Sequence, residues 1–330
     1  TMGDYIGISG IEQSYEQYLR GEKGQKVYLV DVHSRIKGEY QGGRFDKDAQ
    51  VGRNIICTID AELQEYGEKL MVNKRGGIIA IEPGTGEILT MISAPNYNPN
   101  LLVGRVRSKN FTKLYNDTIS KPLFDRGLQA MYEPGSPFKT LNALIALQEN
   151  VISLDEKITC YHGYKYGDRF MGCHCPRGTK NNMIRGIQES CNAYFATVYR
   201  RIIDSKDSPA EGMDLWNKHV TSFGLGNYLG YDLAVGQPGK IPNSDTYNRL
   251  YGKNRWYSTF TISNAIGHGE VLATPIQRAN MTAAIDNRGY FYTPHIIKHI
   301  EGQEIDKKYT TPKKTTIDSK YFEPVIEGMN

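Results

Sequence analysis

The residues with the clearest capacity for chemistry are Ser136 and Lys139, three positions apart in the segment Glu133-Pro-Gly-Ser-Pro-Phe-Lys139. A serine hydroxyl is a weak nucleophile at neutral pH and needs a base within hydrogen-bonding distance. On a helix, residues three apart share a face, so Lys139 would lie beside Ser136 and could take its proton. Gly135 permits a tight approach, and Pro137 suits a first helical turn because its missing N–H would have no partner there. The segment predicts a helix that begins at Ser136, with Ser136 as nucleophile and Lys139 as base.

A second polar pair, Ser190 and Asn192, follows within a stretch of helical periodicity. The hydroxyl could pass a proton to a leaving amine, and the amide could hold a peptide group of the substrate. Taken singly, both patterns are also explained by helix capping and a solvated lysine. Their order along the chain matches the Ser-x-x-Lys and Ser-x-Asn elements of a serine acyl-transfer site.

The elements that must position these residues indicate an α+β fold. Two apolar runs, Ile78 to Ile81 and Ile88 to Ile92, flank the turn sequence Pro83-Gly-Thr-Gly86 and predict a hairpin covered on both faces. Further predicted elements are a helix capped by Asp60, a buried helix from Ser136 to about Asn150, a helical region from Asn182 to Ile203, a helix from Pro275 to Ile285 and an irregular segment over residues 151–180. Helices packed on a mostly antiparallel sheet are the expected architecture.

Several ordered motifs resemble class B penicillin-binding proteins, and among them the penicillin-binding protein 2 group of the cell-elongation machinery. They are Gly7-Ile-Ser-Gly-Ile-Glu-Gln-Ser-Tyr-Glu16, Thr58-Ile-Asp60, the hairpin, Tyr132-Glu-Pro-Gly-Ser136 with Lys139, Ser190-Cys-Asn192 and Ile266-Gly-His-Gly-Glu-Val-Leu-Ala-Thr-Pro-Ile-Gln277. The resemblance implies a penicillin-recognising serine transpeptidase domain over residues 55–330, preceded by part of an N-terminal pedestal over residues 1–54.

The resemblance also implies a function, in which Ser136 forms an acyl-enzyme with a D-Ala-D-Ala stem peptide and an amine of a neighbouring strand resolves it. Lys139 would activate Ser136, Ser190 would carry the proton, and Asn192 would bind the substrate backbone. The implied partners are peptidoglycan stem peptides, β-lactam antibiotics and the membrane glycosyltransferase of the elongation machinery, at the periplasmic face of the inner membrane. No cofactor is required for this chemistry.

The third motif of such sites, Lys-Thr-Gly, is absent from the chain. Lys314-Thr-Thr316 lacks the glycine and lies in a polar stretch, so it is not a substitute. We expect the chain to be cut at both ends and to stop before this motif, and a chain that ended there would be catalytically impaired. Two alternatives stay open: a Ser–Lys β-lactamase, and a non-catalytic β-lactam sensor or scaffold.

Three of the five cysteines, Cys160, Cys173 and Cys175, lie close together in the irregular segment. Thiolates with imidazole or carboxylate could bind a structural zinc ion, completed by His162, His174 or Asp168. A disulfide and free thiols are the other two readings. Cys191 is expected to be a small packing residue.

Composition excludes other classes of function. The net charge is +4, and no basic run alternates with aromatic residues, so a nucleic acid is not an expected partner. No apolar run approaches the ~18 residues of a membrane span. His268, between Gly267 and Gly269, is interpreted as part of a glycine-rich turn, because the Ser–Lys chemistry needs no histidine.

Overall fold

A computed structural model of the chain describes residues 6–330. The strands within these residues are β1 (Tyr28–Val30), β2 (Ile36–Glu39), β3 (Ile55–Cys57), β4 (Gly76–Ile81), β5 (Ile88–Ala94), β6 (Ile158–Cys160), β7 (Gly163–Tyr166), β8 (Arg169–Gly172), β9 (Thr179–Asn181), β10 (Tyr290–Phe291), β11 (Ile297–Ile300) and β12 (Lys313–Lys314). They pair antiparallel as β1–β2, β3–β11, β4–β5, β6–β9, β7–β8 and β10–β12.

The α-helices of the same residues are α1 (Gly10–Ser14), α2 (Glu16–Leu19), α3 (Ala61–Leu70), α4 (Arg107–Tyr115), α5 (Lys139–Gln148), α6 (Met183–Gln188), α7 (Asn192–Ile203), α8 (Pro209–Thr221), α9 (Ser244–Tyr251), α10 (Pro275–Asp286), α11 (Lys307–Thr310) and α12 (Phe322–Met329). Two 3₁₀ helices, Ser136–Phe138 and Ser258–Ile266, matter for the site. None of the helices in residues 6–330 is long and apolar enough to cross a membrane.

The core is built around α5, whose residues 139–147 are all buried. Helices α7 and α8 and the 3₁₀ helix Ser258–Ile266 contact it. At its centre the Trp216 ring lies 5.9 Å from that of Phe138 and edge-on to Tyr199 at 5.6 Å, and its Nε1 donates to Asn142 Oδ1 at 2.8 Å. A helix that is apolar on every side must be surrounded in this way, which holds its N-terminal end in a rigid frame.

The predicted hairpin is confirmed as β4–β5, with Ile78 opposite Ile92. None of its residues is exposed, as the apolar runs predict. Helix α3 packs on β5 and α10 on β4. The Asp60 side chain caps α3 by accepting from Leu63 N at 3.0 Å, which confirms the predicted helix start.

Two predictions about secondary structure are wrong. The single helical region over residues 182–203 is two helices, α6 and α7, separated at Ser190, where φ is 44°. The segment over residues 151–180 is not irregular, because it contains the pair β6–β9 and the hairpin β7–β8. Both departures lie close to the predicted active site.

Residues 6–54 form an extended region in which none of the described residues is buried. Its link to the rest of the chain includes Tyr15, whose hydroxyl donates to Asp232 Oδ2 at 2.7 Å. The Asp232 carboxylate also accepts from the backbone N–H groups of Ile296 and Ile297. A carboxylate that accepts several bonds is a strong anchor between two parts of a chain.

Candidate active site

Ser136 begins the short 3₁₀ helix that leads directly into α5. Gly135 before it has φ 68° and ψ −155°, a conformation that only glycine adopts without strain. Its N–H donates to Gly267 O at 3.0 Å, and its carbonyl accepts from Phe138 N at 3.0 Å. The turn therefore exposes the Ser136 side chain at the start of a buried helix.

Lys139 lies one turn further on and is only 2% exposed. Its three ammonium protons have three acceptors, namely Ser190 O at 2.7 Å, Ser190 Oγ at 2.9 Å and Asn192 Oδ1 at 2.6 Å. Burial lowers the pKa of Lys139 to about 8, although nearby cysteine thiols act in the opposite direction. A lysine with this pKa is unprotonated in about a tenth of molecules at pH 7, so it can serve as a base.

The break between α6 and α7 positions the second motif, Ser190 and Asn192. Ser190 N donates to Ile187 O at 2.9 Å and closes α6, and the left-handed conformation of Ser190 turns the chain so that α7 starts at Asn192. Asn192 Nδ2 donates to Gly172 O at 2.9 Å. Both polar atoms of the Asn192 amide are thus engaged within the protein, one by Lys139 and one by the end of β8.

The sequence assigned Ser136, Lys139 and Ser190 to catalysis and Asn192 to substrate binding, and the structure brings Lys139, Ser190 and Asn192 into direct contact. Ser136 lies on the same helical face, one turn before Lys139, and its Oγ makes no hydrogen bond within residues 6–330. The group can therefore support acyl transfer, because it offers a free hydroxyl one helical turn from a buried amine that is hydrogen-bonded to a second hydroxyl.

Four sulfur atoms lie behind this group. The Sγ atoms of Cys160, Cys173, Cys175 and Cys191 are all within 4.8 Å of one another and are buried. The distance between Cys173 Sγ and Cys191 Sγ is 3.7 Å, and all five cysteines are free. Four sulfurs bound tetrahedrally at about 2.3 Å from a zinc ion would be about 3.8 Å apart. The donor set therefore fits zinc, whereas no pair is at the S–S bond length of about 2 Å that a disulfide requires.

Residues 76–330 match the family model of the penicillin-binding protein transpeptidase domain. The chain belongs to this family. Residues 1–57 match the model of the penicillin-binding protein dimerisation domain. The family resemblance and the α+β fold expected from the sequence are thereby confirmed.

The curated relatives of this transpeptidase-family chain include the peptidoglycan D,D-transpeptidase MrdA of Acinetobacter baumannii. That protein is 34% identical over 305 residues, which are 90% of this chain and 42% of the relative. The protein of the same name from Escherichia coli (strain K12) is 30% identical over 334 residues, 98% of this chain and 50% of the relative. The chain thus spans about half the length of these curated relatives.

Solved structures agree with the family assignment. PBP2 of Pseudomonas aeruginosa in complex with WCK 5153 superposes with a TM-score of 0.80 at 29% identity, over 99% of this chain and 67% of that one. PBP2 of Helicobacter pylori in complex with MreC gives a TM-score of 0.81 at 26% identity, over 98% of this chain and 57% of that one.

The sequence analysis missed the role of Cys191. Cys191 is buried in the core, as expected, and its Sγ is also the fourth member of the sulfur cluster, a position for which the sequence had suggested His162, His174 or Asp168. Instead, His162 Nδ1 contacts the backbone oxygen of Cys175 at 3.1 Å. The fifth cysteine, Cys57, is exposed and distant in sequence. The other four form an even group, and this group was the signal available from the sequence.

The surroundings of the sulfurs shift their thiol pKa values in different directions. Burial raises the pKa of the Cys160 thiol to about 11 and also raises that of Cys175. Burial acts in the same direction on Cys173, but N–H groups of Cys175, Ala193 and Asn192 donate to its sulfur and lower its pKa to about 6. Four sulfurs this close cannot all ionise unless a cation neutralises them.

Three further residues from the sequence analysis have structural explanations. Thr274 and Gln277, in the Thr-Pro-Ile-Gln stretch, form a capping box at the start of α10. Thr316, in the rejected Lys314-Thr-Thr316, contacts His219 Nδ1 through its Oγ1 at 2.7 Å, so it holds the C-terminal segment to α8.

Proposed function

We propose that this chain is the catalytic portion of a peptidoglycan D,D-transpeptidase that cross-links stem peptides during cell-wall elongation. The observation that carries the proposal is the contact of Lys139 with Ser190 and Asn192, one helical turn from the free hydroxyl of Ser136. The relatives named peptidoglycan D,D-transpeptidase support the choice of substrate.

In the first half of the reaction, unprotonated Lys139 takes the proton of Ser136 as the Oγ attacks the carbonyl carbon of the penultimate D-Ala. The Oγ–C bond forms and the C–N bond to the terminal D-Ala breaks. The proton passes from Lys139 through Ser190 Oγ, 2.9 Å away, to the leaving amine. The products are an ester on Ser136 and free D-Ala.

In the second half, the amine of a neighbouring stem peptide attacks the ester carbonyl. The same Lys139–Ser190 pair accepts the proton of the amine and returns it to Ser136 Oγ as the ester bond breaks. Because Asn192 already binds Lys139 and Gly172, we propose that it fixes the lysine as well as the substrate backbone. Ser136 N–H and the strand carrying the Lys-Thr-Gly motif would stabilise the oxyanion.

The wider setting belongs to the same proposal. We assign residues 1–54 to a pedestal and 55–330 to the transpeptidase domain, in a protein anchored in the inner membrane and facing the periplasm. A membrane glycosyltransferase of the elongation machinery is the proposed partner. This is supported by the similar H. pylori PBP2, solved with MreC, and by a chain from a peptidoglycan synthase complex with a TM-score of 0.79 at 27% identity.

The test is mass spectrometry of the full-length protein after treatment with benzylpenicillin, with Ser136→Ala as control. A single adduct on Ser136, absent from the variant, is expected. Rapid hydrolysis of the antibiotic would indicate a β-lactamase instead. A stable adduct without any reaction on stem peptides would indicate a sensor or scaffold.

We further propose that Cys160, Cys173, Cys175 and Cys191 hold one structural zinc ion. The ion would join the end of β6, the segment after β8 and the start of α7, and it would supply no step of the reaction. Because Cys191 lies between Ser190 and Asn192, such a site would fix the partners of Lys139 from behind. Elemental analysis of protein purified without a metal-affinity column tests this, and one zinc per chain is expected.

A further inference from the structure

The carboxylate of Glu133, three residues before the nucleophile, joins two loops that meet at the active site. Its Oε1 accepts from Gly269 N at 2.9 Å, and its Oε2 lies 3.8 Å from His268 Nε2. His268 Nδ1 lies 3.1 Å from Ile266 O, and since a carbonyl only accepts, Nδ1 carries a proton. The hydrogen bond from Gly269 N to Glu133 is therefore the stronger of the two contacts, because the contact with His268 is an ion pair only when the imidazole is protonated.

The two loops are also fastened on either side of Glu133. Tyr132 exchanges two backbone hydrogen bonds with Ala273, at 3.0 and 2.9 Å, and Gly135 N donates to Gly267 O at 3.0 Å. Without Glu133, the turn between Gly267 and Ala273 would lack its central tie to the nucleophile loop. Residues 266–269 would then be joined to Gly135 by a single backbone hydrogen bond, from Gly135 N to Gly267 O.

This tie matters because the Gly135 peptide sets the direction of the Ser136 N–H. Within residues 6–330 that N–H has no hydrogen-bond partner, and it points from the first position of a helical segment. Such a donor can stabilise negative charge that develops on a carbonyl oxygen attacked by Ser136. A small rotation of the Gly135 peptide would misdirect it.

We propose that Glu133 is a positioning residue for the acylation step, which acts through the 266–269 turn to hold the Ser136 N–H in its productive direction. The inference rests on the proposed acyl-transfer function. In this proposal Glu133 acts through its hydrogen bond with Gly269 and not through its negative charge. A neutral side chain that accepts the same hydrogen bond should therefore support acylation equally well.

The experiment measures acylation of the full-length protein by a fluorescent penicillin under stopped flow, giving the rate constant of acylation and the dissociation constant of the preceding complex. Glu133→Ala should lower the acylation rate constant about 10–100-fold and leave the dissociation constant within about 3-fold, because misdirecting one oxyanion donor costs less than deleting it. Glu133→Gln, whose Oε1 can still accept from Gly269, should stay within about 3-fold of the parent.

His268→Gln should behave like the parent, since it leaves the bond to Gly269 intact. Glu65→Ala is the matched control, because Glu65 is an exposed acid on α3, away from the nucleophile loop, whose ion pair within residues 6–330 is with Lys69. The inference is overturned if Glu133→Ala acylates at the parental rate, if it changes only the dissociation constant, or if Glu133→Gln is as slow as Glu133→Ala. Failure of the parent protein to acylate at Ser136 would instead reject the proposed function, so the two failures are distinct.

Discussion

The side-chain oxygen of Asn192 accepts a hydrogen bond from the Lys139 ammonium group at 2.6 Å, the shortest of the three that hold this lysine. The other end of the same amide is fixed by Gly172 O. An amide that is hydrogen-bonded at both ends orients the lysine, in addition to the contact with the substrate backbone proposed for it. This relationship leads to the first prediction.

Replacing Asn192 should impair catalysis more than substrate binding. We expect Asn192→Ala to lower the acylation rate constant about 10²-fold, within the range of general-base contributions, with a dissociation constant close to that of the parent. Asn192→Asp should place a negative charge beside Lys139 and raise its pKa, so its activity should recover at higher pH. Stopped-flow acylation across pH measures both, and a loss confined to the dissociation constant would show that Asn192 serves the substrate alone.

The acylation rate should follow the protonation of Lys139. Since its pKa is lowered to about 8 and only the unprotonated amine can accept a proton, the rate should rise about tenfold per pH unit below pH 8 and level off above it. Lys139→Arg keeps the charge but cannot lose a proton, so its rate should be low at every pH. A profile in the parent that is flat between pH 6 and 9 would mean that another group is the base.

Gly267 should not tolerate a side chain. A Cβ there would lie 2.5 Å from Gly135 O and 2.7 Å from Phe138 Cβ, at a φ of 67°. Gly167 offers a matched control, because its φ is 58° and a Cβ there would meet nothing within 4 Å. Gly167→Ala should cost about 1–2 kcal/mol for the left-handed conformation alone.

Gly267→Ala should lower the free energy of unfolding clearly more than Gly167→Ala does. It should also slow acylation, because the added Cβ pushes on Gly135, the residue before Ser136. Urea unfolding and acylation kinetics of both variants provide the comparison. Equal losses of stability in the two variants would show that the contact with Gly135 relaxes freely.

The sulfur cluster gives a prediction about metal content. Cys191→Ser should lose the bound zinc and lower the melting temperature by about 5–10 °C, since loss of a ligand removes several kcal/mol of metal-linked folding energy. Cys57→Ser is the control, because Cys57 is exposed and outside the cluster. Elemental analysis and thermal unfolding decide the matter, and metal-free parent protein with four titratable thiols in the folded state would reject the site.

Sequence reasoning succeeded where the determinants are local. The helix after Ser136, the covered hairpin and the cap at Asp60 each depend on a few neighbouring residues, and all three are present. It failed at Ser190, because the apolar periodicity continues through the break and nothing in the residue types announces a left-handed turn. In the structure the turn is joined to a residue far away in sequence, because Lys139 Nζ donates to Ser190 O and Ser190 Oγ.

The same limit explains why the sequence did not place Cys191 in the sulfur cluster. Cys160 and Cys173 are brought together by the pairing of β6 with β9 and of β7 with β8, in a segment whose polar, short strands carry little periodicity. Cys191 then joins them from the start of α7. The register between strands depends on contacts between residues far apart in sequence. The spacing of the cysteines could therefore indicate that a sulfur cluster forms, but it could not identify which cysteines belong to it.

The adjacency of Ser190, Cys191 and Asn192 has a pharmacological consequence. The Ser190 and Asn192 side chains contact Lys139, while the Cys191 side chain between them belongs to the sulfur cluster, which a small molecule could target separately. If the proposed zinc ion is bound there, a compound that withdrew it would act on the partners of Lys139 without competing with substrate or antibiotic for Ser136.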